Sequence, residues 1–113
     1  MRALCLAAGV AGIFAAPGLA DDVQTILYRC ERGVGIRATY INTAGTSHAV
    51  LFAEGRQAAL TVQPTASGAR YAAPQGTSGH GWWTKGPQAS LAWFDAEKPE
   101  EVVLHMDCAE VEP

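Results

Sequence analysis

Helix-forming stripes, metal-ligand motifs and positive charge are what this 113-residue chain has little of. No window places apolar residues three and four apart for long enough to make an amphipathic helix, so helical bundles and α/β architectures are set aside. Neither Cys-x-x-Cys nor His-x-x-x-His occurs. His48, His80 and His105 fall on three separate segments, which argues against a metal centre. Gly-x-Ser-x-Gly and the glycine-rich phosphate loops are missing too, and with them the usual signs of a serine hydrolase or a nucleotide-binding enzyme. The acidic residues Asp95, Glu97, Glu100 and Glu101 crowd around Lys98-Pro99. That pattern reads as a solvated turn rather than two carboxyls facing each other across a cleft.

The longest apolar run, Ala3 to Ala16, follows Met1-Arg2 and precedes Pro17-Gly18-Leu19-Ala20. It falls short of the roughly 20 residues of a spanning helix and has the charged start and small-residue end of a cleaved secretory leader. Residues 1–20 are therefore expected to be a signal peptide, with 21–113 a single domain. Cys5 sits too early for a lipoprotein-type cleavage and is expected to leave with the leader, so a periplasmic chain without a lipid anchor is anticipated. Removing the leader takes away only Arg2 among the charged residues, leaving seven cations against eleven carboxylates. Nucleic acid and anionic lipid are poor partners for such a surface, whereas a basic protein would be drawn towards it.

Two cysteines remain, Cys30 and Cys108, 78 residues apart and one near each end. In an oxidising compartment they are expected to form a disulfide. Closing so long a loop stabilises a small domain by about 4–5 kcal/mol on the loop-entropy model.

What is present is a succession of short β-prone runs between turn residues. Strands are predicted over Val23 to Cys30, Gly35 to Ile41, His48 to Ala53, Ala58 to Gln63, Arg70 to Ala73, Trp82 to Lys85, Ala89 to Phe94 and Val102 to Cys108. Asn42 to Ser47, a glycine-rich loop from Pro74 to Gly81, and Gly86-Pro87 separate them. So many short strands in so few residues suit a small antiparallel barrel closed on itself, with Cys30 and Cys108 joined where the first and last strands meet. Strict alternation puts Val102, Leu104 and Met106 on the side of Cys108, and turns His105 towards the polar face. Trp82 and Trp83, being adjacent, must face opposite ways, one into the core and one towards solvent. Trp93 alternates with Leu91 and is assigned to the core. The glycines at 68, 79, 81 and 86 read as turn glycines.

Two stretches stand out, Ser67-Gly68-Ala69-Arg70-Tyr71 and Trp82-Trp83-Thr84-Lys85-Gly86. With Tyr28-x-Cys30, Gly33, Ala89-x-Leu91 and Cys108, they resemble the bacterial inhibitors of C-type lysozyme. The resemblance implies an all-β fold, a small eight-stranded antiparallel β-barrel closed by the Cys30 to Cys108 disulfide. It further implies no enzymatic activity, no cofactor and no metal, with C-type lysozyme, a strongly basic protein, as the partner. On this likeness Ser67 hydrogen-bonds the catalytic acid of the enzyme and Lys85 pairs with the companion carboxylate. Gly68 permits close backbone approach, Tyr71 and one of Trp82 or Trp83 hold the loops in register, with Trp83 the candidate contact residue, and Thr84 braces Lys85. Arg70, a further candidate read from the residues themselves, either braces the loop through a carboxylate or carbonyl or is solvated. The chain departs from the family pattern at His80, where a tyrosine is usual, and in a long stretch between Ala72 and Gly81. A small-ligand-binding barrel and a structural envelope module are the alternatives that the residues leave open.

Overall fold

A computed structural model describes residues 22–111. The predicted leader, Cys5 included, lies outside these residues. Eight strands follow one another in chain order: β1 (Asp22–Arg29), β2 (Gly35–Asn42), β3 (Ser47–Ala53), β4 (Arg56–Gln63), β5 (Ala69–Ala72), β6 (Gly79–Lys85), β7 (Gln88–Asp95) and β8 (Glu100–Glu110). Each is antiparallel to the next, and β8 returns to β1 to close the barrel. The all-β barrel and the Cys30–Cys108 disulfide read from the sequence are both present. One boundary differs in kind: residues 79–81, expected in a loop, begin β6.

Closure is brief. β8 meets β1 through two ladder pairs, Tyr28 with Glu110 and Arg29 with Ala109, extended by the Val111 amide donating to the Leu27 carbonyl. The disulfide lies immediately beside this short seam. A covalent bond therefore supplements backbone pairing where the ladder is shortest, and it also constrains the unfolded chain.

The interior is filled by side chains. Trp82, Tyr28, Ile36, Leu51 and Leu91 are fully buried, and Ala38, Ala49, Ala53 and Ala89 are buried in the same core cluster. Such mixing of large and small residues is how a narrow barrel is packed without voids. At the centre Tyr40 Oη accepts from Trp82 Nε1 at 2.7 Å and shares a second 2.7 Å bond with Tyr28 Oη. The Tyr28 ring also meets Trp82 edge to face, their centroids 5.0 Å apart. These bonds let three amphipathic rings enter the barrel with their polar atoms satisfied.

Sequence alternation fails along β8, for a visible reason. Ala89 pairs with Cys108 and Leu91 with His105, so Ser90 alone faces the two residues Met106 and Asp107. A second irregularity leaves Leu104 extra between the Leu91 and Ala92 pairings. Each inserted residue reverses the parity of the strand. His105, predicted on the polar face, is consequently buried; its Nε2 lies 2.9 Å from Glu54 Oε2 while Nδ1 has no partner among the described residues. Met106 is exposed instead of sharing the interior with Cys108; Val102, whose facing the second irregularity restores, pairs with Trp93 beyond the packed interior and is exposed as well. Glu54 occupies a two-residue turn with Gly55, both at positive φ as a tight type I′ hairpin requires. Trp93 is also corrected. It lies in the row of Ala89 and Leu91 but beyond the packed interior, 39% exposed, with its ring edge-on to His80.

Burial pushes the hydroxyls of Tyr28, Tyr40 and Tyr71 above the ordinary tyrosine range, and for Tyr28 the bond to Tyr40 adds to it. The folded chain thus holds these protons more tightly than the unfolded chain, whose tyrosines ionise near pH 10. The contribution of the network to stability is complete below that pH and is lost as the pH rises beyond it. Tyr40→Phe, which leaves the Tyr28 hydroxyl and Trp82 indole N–H without their shared partner, is expected to cost about 1–3 kcal/mol. Urea denaturation at pH 7 measures this cost, and repeating it above pH 10 should show the wild type losing more of its margin than the variant.

Candidate functional site

The candidate residues gather where the β4–β5 loop and the β6–β7 hairpin come side by side. β5 pairs with β6 through Ala69 and Thr84, Arg70 and Trp83, and Tyr71 and Trp82. Ser67 lies two residues before the first of these pairs and Lys85 one residue after it, so both project at the same end of the two strands.

Three contacts bind the loop to the strand. Trp83, directed outward as Trp82 is directed inward, donates its indole N–H to the Ser67 carbonyl at 3.1 Å. Thr84 Oγ1 donates to the Ala69 carbonyl at the long distance of 3.5 Å. Between them Gly68 adopts φ 71°, and a Cβ there would collide with the Thr84 carbonyl. The close approach that glycine permits is thus to the neighbouring strand of the chain itself. Thr65 Oγ1 adds a 3.3 Å bond to the same Ser67 carbonyl.

Lys85 is placed by a turn of only two residues, Gly86-Pro87, with Gly86 at φ 60° as the first position of a primed hairpin turn demands. The Pro87 carbonyl accepts from the Glu110 amide at 3.1 Å, which ties the turn to the strand carrying Cys108. Among the described residues Lys85 enters no ion pair and the Ser67 hydroxyl makes no hydrogen bond. An exposed ammonium and an exposed hydroxyl on two rigid, mutually fastened loops can reach acceptors on another molecule with little ordering cost.

Arg70 and Tyr71 sit elsewhere. Tyr71 is buried, its ring 5.6 Å from that of Tyr40, and so underlies the loops rather than facing solvent. Arg70 faces outward, its Nη2 2.9 Å from Glu101 Oε2 on β8. This partner was not legible in the sequence, where Glu101 seemed part of a solvated turn. Gly81 leaves room beside the ion pair, since a Cβ would stand 3.2 Å from Glu101 Oε2. Gly79 and Gly81 are therefore strand glycines, not turn glycines. Beside them an open groove of about 580 Å³ runs on the outside of the barrel, lined by Arg70, Thr77, His80 and Phe94 among others. Among the described residues no group of three or more His, Cys, Asp or Glu side chains converges on a metal position. His48 bonds Thr61 and His80 packs on Trp93.

The family model described as membrane-bound lysozyme-inhibitor of C-type lysozyme, MliC, matches residues 28–100. The chain belongs to this MliC family. A relative from Cupriavidus necator named membrane-bound lysozyme inhibitor of C-type lysozyme is 33% identical over 70 residues, 62% of this chain and 53% of the relative. The chain spans between half and three-fifths of the length of the curated relatives it matches. Among solved structures, Pseudomonas aeruginosa MliC in complex with hen egg white lysozyme superposes with a TM-score of 0.62 at 29% identity, covering 82% of this chain and 86% of that one. The periplasmic lysozyme inhibitor of C-type lysozyme from Salmonella typhimurium shares the fold, with a TM-score of 0.67 at 23% identity over 80% of this chain and all of that one. Within the MliC family, the segment matched here contains both candidate loops and every strand from β2 to β7.

Replacing Gly68 by alanine should displace the loop or strain its backbone, lowering stability by about 1–3 kcal/mol. Thermal unfolding gives the cost. Amide hydrogen exchange should show faster exchange confined to residues 65–69 and the Trp83 indole; uniform protection in both forms would mean that the Thr84 contact does not hold the loop.

Proposed function

We propose that this chain inhibits C-type lysozyme by placing the Ser67 hydroxyl and the Lys85 ammonium in the active-site cleft of the enzyme. The observation that carries the reading is the fastening of the two loops: the Trp83 indole bond to Ser67 and the Gly68–Thr84 contact hold a hydroxyl and a cation at one end of the barrel, neither with a partner among the described residues. Family membership supplies the partner, and the Pseudomonas aeruginosa relative solved in complex with hen egg white lysozyme supports it. A retaining glycosidase keeps its two carboxyls about 5 Å apart. Ser67 would satisfy the acid and Lys85 would neutralise its companion, through charge-assisted bonds strengthened by exclusion of water. The sugar site is then occluded reversibly, and the chain needs no catalysis and no cofactor of its own. The excess of eleven carboxylates over seven cations in residues 21–113 favours encounter with a basic enzyme.

The burial of Trp82, Tyr28, Ile36, Leu51 and Leu91 in the interior speaks against a ligand-carrying barrel, whose centre would have to be left to the ligand. We place the mature chain in the periplasm, released from a leader ending at Ala20 and free of a lipid anchor, on the strength of the leader pattern and the position of Cys5. Protection of the cell wall against host lysozyme is the role that follows.

Lys85→Ala is expected to weaken binding to hen egg white lysozyme by about 2–5 kcal/mol without unfolding the chain, and Ser67→Ala by about 1–3 kcal/mol. Calorimetry alongside a cell-wall lysis assay tests both; an unchanged dissociation constant for Lys85→Ala removes that residue from the mechanism, and no binding by the wild type removes the inhibitor reading. The intact mass of the exported protein should correspond to a chain beginning at Asp21, and an added lipid mass would refute the absence of an anchor.

A further inference from the structure

A second groove opens beside the loops, on the outer face of β6, β7 and β8. It encloses about 250 Å³, and Trp83, Lys85, Gln88, Ser90, Met106 and Asp107 line it. Its shape follows from the bulge in β8. Because Ser90 faces two residues of β8, both Met106 and Asp107 turn outward, where regular alternation would send one of them inside. Trp83 forms one wall, 44% exposed, and Met106 the other, 47% exposed. Asp107 holds φ 54°, a left-handed conformation unusual for a residue other than glycine. Among the described residues its carboxylate makes neither an ion pair nor a hydrogen bond, although Lys85 lines the same groove.

We propose that this groove takes one cationic side chain, an arginine or lysine, of the basic protein that docks on the Ser67 and Lys85 loops. The inference rests on the reading above that a basic protein docks at this end of the barrel. The apolar stem would lie between Met106 and the face of Trp83, where a guanidinium or ammonium gains from the indole ring. Its charge would end at Asp107. Once Lys85 is committed to a carboxylate of the partner, Asp107 is the charge left over in the same groove, and a cation from the partner completes the neutralisation. The groove adjoins the loops directly, since Trp83 both walls it and anchors Ser67. One indole thus joins the two halves of the contact surface.

The test uses Asp107→Asn, which removes the charge while keeping a residue tolerant of the left-handed conformation. Retained amide chemical shifts away from β7 and β8 establish that the variant is folded. With hen egg white lysozyme as the probe, Asp107→Asn is expected to bind roughly tenfold more weakly, with a shallower dependence of affinity on salt than the wild type. Equal affinity and equal salt dependence overturn the proposal while leaving the Lys85 reading standing. If the wild type does not bind lysozyme, the inhibitor reading fails and the groove is decided separately by titrating N-acetyl-arginine amide into the 15N-labelled chain. Shifts of the Trp83 indole and Asp107 amide that vanish in Asp107→Asn then support the groove; a wild-type spectrum that does not move overturns it.

Discussion

The short seam between β1 and β8 is the constraint on which the rest of this barrel depends. Seven of the eight strand junctions are consecutive hairpins or loops, local in sequence and quick to form, whereas the eighth joins residues about eighty positions apart. Two ladder pairs are a small return on that loop entropy. The Cys30–Cys108 bond supplies what the ladder does not, and it sits on the strand from which the Glu110 amide reaches the Lys85 hairpin. Barrel closure and the orientation of the exposed ammonium are therefore mechanically one matter.

The polar interior is the second organising feature. Tyr40 sits on β2, far in sequence from both Trp82 and the loops, yet its hydroxyl links the ring of β1 to the ring of β6. Its ring also lies against Tyr71, directly beneath the strand that leaves the Ser67 loop. Core packing and loop placement thus share side chains. The alternation in β6 expresses the same economy: Trp82 completes the core network, and its neighbour Trp83 fastens the loop from outside.

Much of this was legible in the order of residues. The turn residues marked the strands, the paired cysteines marked the closure, and the adjacency of Trp82 and Trp83 required one to face each way. What stayed hidden has a common physical origin. A β-bulge leaves no mark in the hydrophobic pattern of a single strand, so the parity of β8 was misread at His105 and Met106. The same bulge hid Asp107 as a surface feature. Tyr40 was legible as an alternating residue but not as a hub, because its partners are set by barrel curvature. Arg70 and Glu101 meet beside Gly81 of β6, a relation across strands that local reading does not reach. Trp93 shows the opposite limit: its facing was right, but strand alternation carries no information about where a packed interior ends.

The three tryptophans stand in three different dielectric settings. Trp82 is sealed in the core with its N–H bound to a hydroxyl, Trp83 lies half in water against a backbone carbonyl, and Trp93 rests edge-on to a histidine beyond the packed interior. Indole emission shifts to the red as its surroundings become more polar and mobile. The native chain therefore carries its own set of optical reporters, one for the interior, one for the loops and one for the far edge of β7, and single replacements would separate their signals without any label being added.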